Sequence, residues 1–343
     1  MTETARRAFV ASTVVTAVVV TALALWKLKL LIVLLFFAFT IAAALRPSVD
    51  ALRRRRVPRG AAILLHYAAL GAFVGVLLWA IVPQAIDQVQ SALRDAEEET
   101  GLKGEILTWL DARLERLPRV EDLFDPALQL TLLGFEIALG IFFVFACAAY
   151  WILERDDTVR LVTSLVPRPH RKVVRDTWTL IDFKLGAYVR GQLLLIMLVA
   201  TVLSTGFWAM GLPFWLLIGA FAGVVEIVPV IGPFTAGAFA VGVGLTESLG
   251  VGIAAGLLVL GVRLLEDYFV IPRVLGDAVG LSPLVVIVSV AATAILFGEL
   301  AVLLAIPLAA VLGTLFEVVV LDRDPADQDV PAVLFPAQDA ETR

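Results

Sequence analysis

Long apolar runs separated by short charged clusters set the pattern of this chain. Residues 8–26, 30–45, 61–82 and 191–225 carry no charged side chain. A helix needs about 20 mainly apolar residues to cross the hydrocarbon of a bilayer. The runs therefore predict spans at about 8–26, 28–45 and 61–82, with Lys27 and Lys29 at the turn between the first two. A fourth span is predicted at about 128–153. The run 191–225 is too long for one crossing, and Leu212-Pro213 is where it turns into a second. After it the apolar pieces shorten to roughly 234–246, 248–262 and 283–297, before a last span at 300–321. The first two short pieces read as arms of a re-entrant or broken hairpin. Such backbone is tolerated at membrane depth only where protein buries it or a polar cavity receives it. The expected fold class is all-α: a polytopic integral membrane protein of about seven or eight transmembrane helices, with proline-broken or re-entrant elements in its C-terminal half.

Two polar stretches have helical periodicity of their own. Leu102, Ile106, Leu110, Leu114 and Leu117 form an apolar stripe within 83–127, and Val174, Trp178, Ile181, Leu185 and Tyr188 form another. The first reads as a surface-lying or neighbour-packing helix, the second as an interfacial elbow helix. The resulting division is an N-terminal three-helix region (1–82), an extracytoplasmic amphipathic segment (83–127), a fourth span with the elbow (128–190), a C-terminal region of broken helices (191–321) and an acidic tail expected to be disordered (322–343).

Charge then orients the spans. The connection 46–60 holds six arginines against one aspartate, and 154–190 holds eight basic residues against five acidic ones. Basic residues are retained on the cytoplasmic side, so both segments are expected there. The segment 83–127, with eleven acids against five bases, is expected outside. The N-terminus, beside Arg6 and Arg7, and the C-terminus are expected in the cytoplasm. Overall 60% of residues are hydrophobic and 17% charged, below the quarter usual in soluble domains. The net charge of -5 is no nucleic-acid signature. Two histidines and one cysteine, Cys147, rule out a histidine metal cluster and an intrachain disulfide. No phosphate-binding glycine loop is present, and no cofactor or metal is implied.

Carboxylates inside apolar runs are the candidate chemistry, because a charge at the bilayer centre costs about 2.5–3.5 kcal/mol on insertion scales. Glu226 stands out. It precedes Pro229, Gly232 and Pro233, a segment that must interrupt helical hydrogen bonding. Freed carbonyls with one carboxylate make a binding point for a substrate or cation; the alternative is an acid that only caps the break. Glu266 and Asp267 adjoin Arg263, which reads either as an interfacial ion-paired cluster or as a gate or ligand group. Glu299 is the remaining candidate. Pro213, Pro272, Pro283 and Pro307 are expected to break helices.

Several strings resemble one family. EIVPVIGPFTAG (226–237), EDYFVIPRVLGDAVGLSPL (266–284) and AIPLAA (305–310) are similar to the signatures of the autoinducer-2 exporter-like permeases. RRRVPRG (54–60), VPQAIDQVQ (82–90), Val166-Pro167 and YVRGQ (188–192) match as well. Glu226 stands where the family more often has Asp, and Glu299 falls in a stretch usually rich in glycine. The resemblance, over about residues 10–320, implies a secondary transporter of a bacterial cytoplasmic membrane that exports a small polar organic molecule. It also implies a homo-oligomer, with a pentamer expected. Relatives credited with Na⁺/H⁺ exchange make a Na⁺(Li⁺)/H⁺ antiporter the alternative, and a non-transporting membrane scaffold is the second alternative.

Overall fold

The computed structural model describes residues 3–95, 124–228, 231–274 and 282–328. Their regular structure is helical: α1 (Glu3–Lys27), α2 (Lys29–Arg54), α3 (Arg59–Asp95), α4 (Phe124–Leu165), α5 (Arg171–Ala209), α6 (Trp215–Val225), α7 (Ile231–Glu247), α8 (Leu249–Leu265), α9 (Ile271–Val274), α10 (Pro283–Phe297) and α11 (Ala305–Val319). Among the described residues, seven segments are long and apolar enough to cross a membrane, and α6 and residues 284–297 are shorter apolar helices. The 102–117 stripe and most of the acidic tail lie outside the described residues.

Helices here extend past their apolar runs. α2 continues through Pro47 to Arg54, and α3 through Pro83 to Asp95. A proline removes one backbone donor and leaves the carbonyl four residues earlier unpaired. For Pro47 that carbonyl is Ala43's, which lies against Gly186 of α5, while Arg190 donates to the neighbouring Ala44 carbonyl at 3.2 Å. The amphipathic stripe 174–188 and the apolar run after it form one helix, α5, of 39 residues, about 58 Å long. No proline interrupts it.

The first junction corrects the expected turn. α1 and α2 are separated by Leu28 alone, whose N–H bonds the Ala24 carbonyl and whose carbonyl accepts from Ile32, both at 2.9 Å. A helical hairpin needs a loop of 2–5 residues, and Ala24–Ile32 contains no glycine, proline or other helix breaker. The chain therefore bends at Leu28 instead of folding α1 back along α2. The span Phe9–Lys27 buries none of its length in the protein.

Three buried clusters organise the rest among the described residues, the smallest packing Val33 of α2 against Ala301 and Leu304; the other two are larger. One joins α2, α3 and α4 through Ala38, Ala42, Val49, Ile63, Val144 and Ala148. The other joins α5 to α8 through Leu203, Phe207, Ile218, Ala240 and Ala255. Close approach in the second rests on small residues, as between membrane helices generally. Gly219 faces the Ser204 backbone, Gly223 faces Ala200, and Gly244 touches Gly252. These pairs fix the directions: α6 runs antiparallel to α5, α7 back along α6, with Phe221 and Phe239 rings 5.4 Å apart, and α8 antiparallel to α7.

The predicted turn at Leu212-Pro213 is present. Gly211 (φ 68°) and Phe214 (φ 58°) take left-handed backbone there, and Leu212 is buried. The expected re-entrant hairpin is the α7–α8 pair, capped by Ser248, whose hydroxyl accepts from the Val251 N–H at 3.2 Å. Its second arm is longer than expected. Through a π-helical turn at Glu266–Val270 the chain remains helical to Val274, so Leu249–Arg273 has the length of a full span.

Candidate functional site

The α6–α7–α8 meander brings its lower ends together. α6 stops at Val225 after 11 residues, about 16 Å. The chain tightens through i→i+3 bonds, Ile227 N–H to Val224 and Val228 N–H to Val225, and α7 starts at Ile231. Gly232 packs so closely on the Val225 carbonyl that a Cβ would overlap it. Pro233 falls in the first turn of α7, where its missing N–H would have had no helical partner. Pro229 lies outside the described residues.

Glu226 sits at this break, 9% exposed, and its Oε1 accepts from Nη1 of Arg263 on α8 at 2.8 Å. Gln192 of α5 donates to the Glu226 backbone carbonyl at 3.1 Å. Arg263 also binds Asp267 at 3.0 Å through Nη2 and lies 3.9 Å from Oε2 of Glu266. Glu266 is 2% exposed, and its Oε1 has no hydrogen-bond partner among the described residues. Three carboxylates thus share one guanidinium. Fully ionised, they leave two negative charges uncompensated in a site with two buried acids. Such a site has capacity for a proton, a small cation or the hydroxyl and amine donors of a polar solute. Asp267 remains open at 43% side-chain exposure. Just beyond, Leu265, Phe269, Val270 and Arg273 line an open groove of about 470 Å³.

The sequence placed Glu266 and Asp267 beside Arg263 and singled out Glu226 separately; the fold assembles all four. It missed that Arg263 also reaches Glu226, 37 residues away, through the meander. Glu299 does not join the cluster: it is exposed, at the start of a 3₁₀ turn (Glu299–Leu304). The prolines differ in role. Pro213 lies in the α5–α6 turn, Pro283 opens α10 after the Ser282 cap, and Pro307, fully buried, sits in the first turn of α11. Pro272 does not end its helix; the wider π turn before it absorbs the missing donor.

A second ionic network marks the arginine-rich end. Asp182 of α5, 5% exposed, accepts from Arg155 of α4 at 2.8 Å and Arg46 of α2 at 3.2 Å. Two residues on, Lys184 bonds Thr314 of α11 at 3.1 Å and Gln328 at 2.9 Å. The 46–60 connection and the chain after α11 thus lie at one end of α5. Ten residues, about 15 Å of helix, separate Asp182 from Gln192, half of the roughly 30 Å hydrocarbon thickness.

The bundle defines a multi-pass α-helical membrane protein with a broken-helix site. More particularly, the chain belongs to the AI-2E family of transporters, whose family model matches residues 15–321. It is similar to the "Putative transport protein YrrI" of Bacillus subtilis, 25% identical over 305 residues, covering 83% of this chain and 85% of that one. The same organism's "Putative transport protein YueF" is 26% identical over 82% and 83% of the two chains. The "Putative transport protein MT0215" of Mycobacterium tuberculosis is 26% identical over 82% and 81%.

Proposed function

We propose that this chain is a secondary permease exporting a small polar organic molecule, such as an autoinducer-2-type signal, across the bacterial cytoplasmic membrane. The Glu226–Arg263 cluster is its binding point. The observation that carries the reading is the convergence of three helix ends on two buried carboxylates and a shared arginine, about half a hydrocarbon thickness inward of the arginine-rich end. Discontinuous helices supply such sites in secondary transporters, and one bundle moves against another around them. Here the α6–α8 meander is the moving part and α2–α4 the frame. The arginine-rich loop and the C-terminus face the cytoplasm, and the chain works as a homo-oligomer, a pentamer by the family resemblance.

Na⁺(Li⁺)/H⁺ antiport is the second reading, supported by the unpartnered Oε1 of buried Glu266. Proteoliposomes separate the two. Efflux of a labelled furanone-type signal without an imposed ion gradient supports export; a pH change driven by Na⁺ alone supports antiport. Flux in neither arm returns the chain to a non-transporting scaffold. Glu226→Gln keeps the shape and removes the charge, and is expected to lower transport roughly tenfold or more while the protein still inserts. Wild-type flux in that variant rejects the site.

A further inference from the structure

At the arginine-rich end a cavity of about 340 Å³ opens where the end of α2, the start of α3 and α4 meet. Arg46, Asp50, Arg53, Arg54, Arg59 and Asp156 wall it. Its volume is within the range of small-molecule sites. Both acids in the wall are already engaged: Asp50 by Arg46 at 3.6 Å, Asp156 by Arg59 at 3.2 Å. Arg53 and Arg54, in the last turn of α2, are exposed, and their guanidinium groups make no hydrogen bond or ion pair among the described residues. Four guanidinium groups against two carboxylates leave the wall two charges positive.

Two neighbouring features narrow the occupant. α3 begins at Arg59, which walls the cavity, and its first N–H groups have no helical partner. Helix N-termini favour anions, phosphate above all. Five and six residues further along α3, Leu64 and Leu65 are 69% and 57% exposed. The cavity thus lies within about 8 Å, along the helix axis, of the level at which α3 turns apolar side chains to the hydrocarbon.

We propose that this cavity binds the phosphate headgroup of an anionic lipid, with Arg53 and Arg54 donating to its oxygens and the acyl chains entering the hydrocarbon at the level of Leu64 and Leu65. The guanidinium fork matches two phosphate oxygens. Basic pockets between membrane helices hold anionic headgroups in this way. Free phosphate offers the same oxyanion without a use for the leucines.

Native mass spectrometry of the full chain in detergent tests the site, with phosphatidylglycerol, phosphatidylcholine of equal acyl length, and inorganic phosphate as separate probes. Phosphatidylglycerol is expected to be retained in preference to phosphatidylcholine, and phosphate to be held weakly. R53Q/R54Q is expected to weaken phosphatidylglycerol binding roughly 25-fold, and R53K/R54K to keep most of it. Both side chains are exposed, so folding is expected to survive; unchanged elution checks this. R168Q/R175Q removes equal charge from the same basic side and is expected to leave binding near wild type. Equal retention of the two lipids, or an equal loss in R168Q/R175Q, overturns the proposal. Phosphate saturating the cavity against phosphatidylglycerol also overturns it, in favour of a free anion.

Discussion

Asp182 is 5% exposed, and Arg155, itself 9% exposed, approaches it to 2.7 Å. Two desolvated charges this close hold each other; Arg46 joins on the same carboxylate oxygen, Oδ2, and the Thr179 hydroxyl lies 3.3 Å from Arg155, while Oδ1 of Asp182 has no hydrogen-bond partner among the described residues. Removing one partner strands the other, which typically costs about 3–5 kcal/mol. Asp182→Ala is therefore expected to lower the thermal midpoint of unfolding in detergent strongly. Asp182→Asn, which still accepts hydrogen bonds, is expected to lose less. Equal midpoints for Asp182→Ala and wild type would contradict the buried network. Such pairs were only half legible in the sequence. Arg263 with Asp267 is an i,i+4 pair, readable from spacing alone. Arg263 with Glu226, and Asp182 with Arg46 across 136 residues, depend on which helices become neighbours, and no local pattern encodes that.

Helix contacts in the meander rest on missing side chains. A Cβ on Gly219 would lie 2.5 Å from the Ser204 amide nitrogen, a backbone atom that can yield only if α5 and α6 separate. Overpacking of this kind costs about 1–3 kcal/mol. On α7, Gly242 has open space where its Cβ would be, and alanine at an exposed helical site gains up to about 1 kcal/mol. Gly219→Ala is expected to lower the unfolding midpoint and Gly242→Ala to hold or raise it; the opposite ordering would sink the packing assignment. The sequence revealed the α7–α8 hairpin because two successive apolar pieces, 234–246 and 248–262, are each too short for a span. It did not reveal the α1–α2 bend or the single α5. Both were read as boundaries from charge, at Lys27 and Lys29 and at Arg190, yet Lys and Arg are good helix formers. Charge marks where helices meet water, and only glycine, proline or a cap marks where they stop.

The meander places the α5–α6 and α7–α8 turns together, at the end of the bundle opposite the 46–60 connection and Gln328. This geometry sets a labelling experiment that separates fold from orientation. In a Cys147→Ala background, which removes the one native thiol, single cysteines replace Arg55, Leu249 and Arg323. Leu249 is 70% exposed, and Arg323 is 60% exposed at its side chain. With six arginines in 46–60, basic retention predicts that connection inside. A membrane-impermeant maleimide is expected to reach position 249 in intact cells, and positions 55 and 323 only after permeabilisation. Labelling of 55 and 323 from outside, with 249 protected, would reverse the orientation while keeping the meander. Labelling of 55 and 249 from the same side would remove the meander itself, and with it the reason for Glu226, Glu266 and Arg263 to meet inside the membrane.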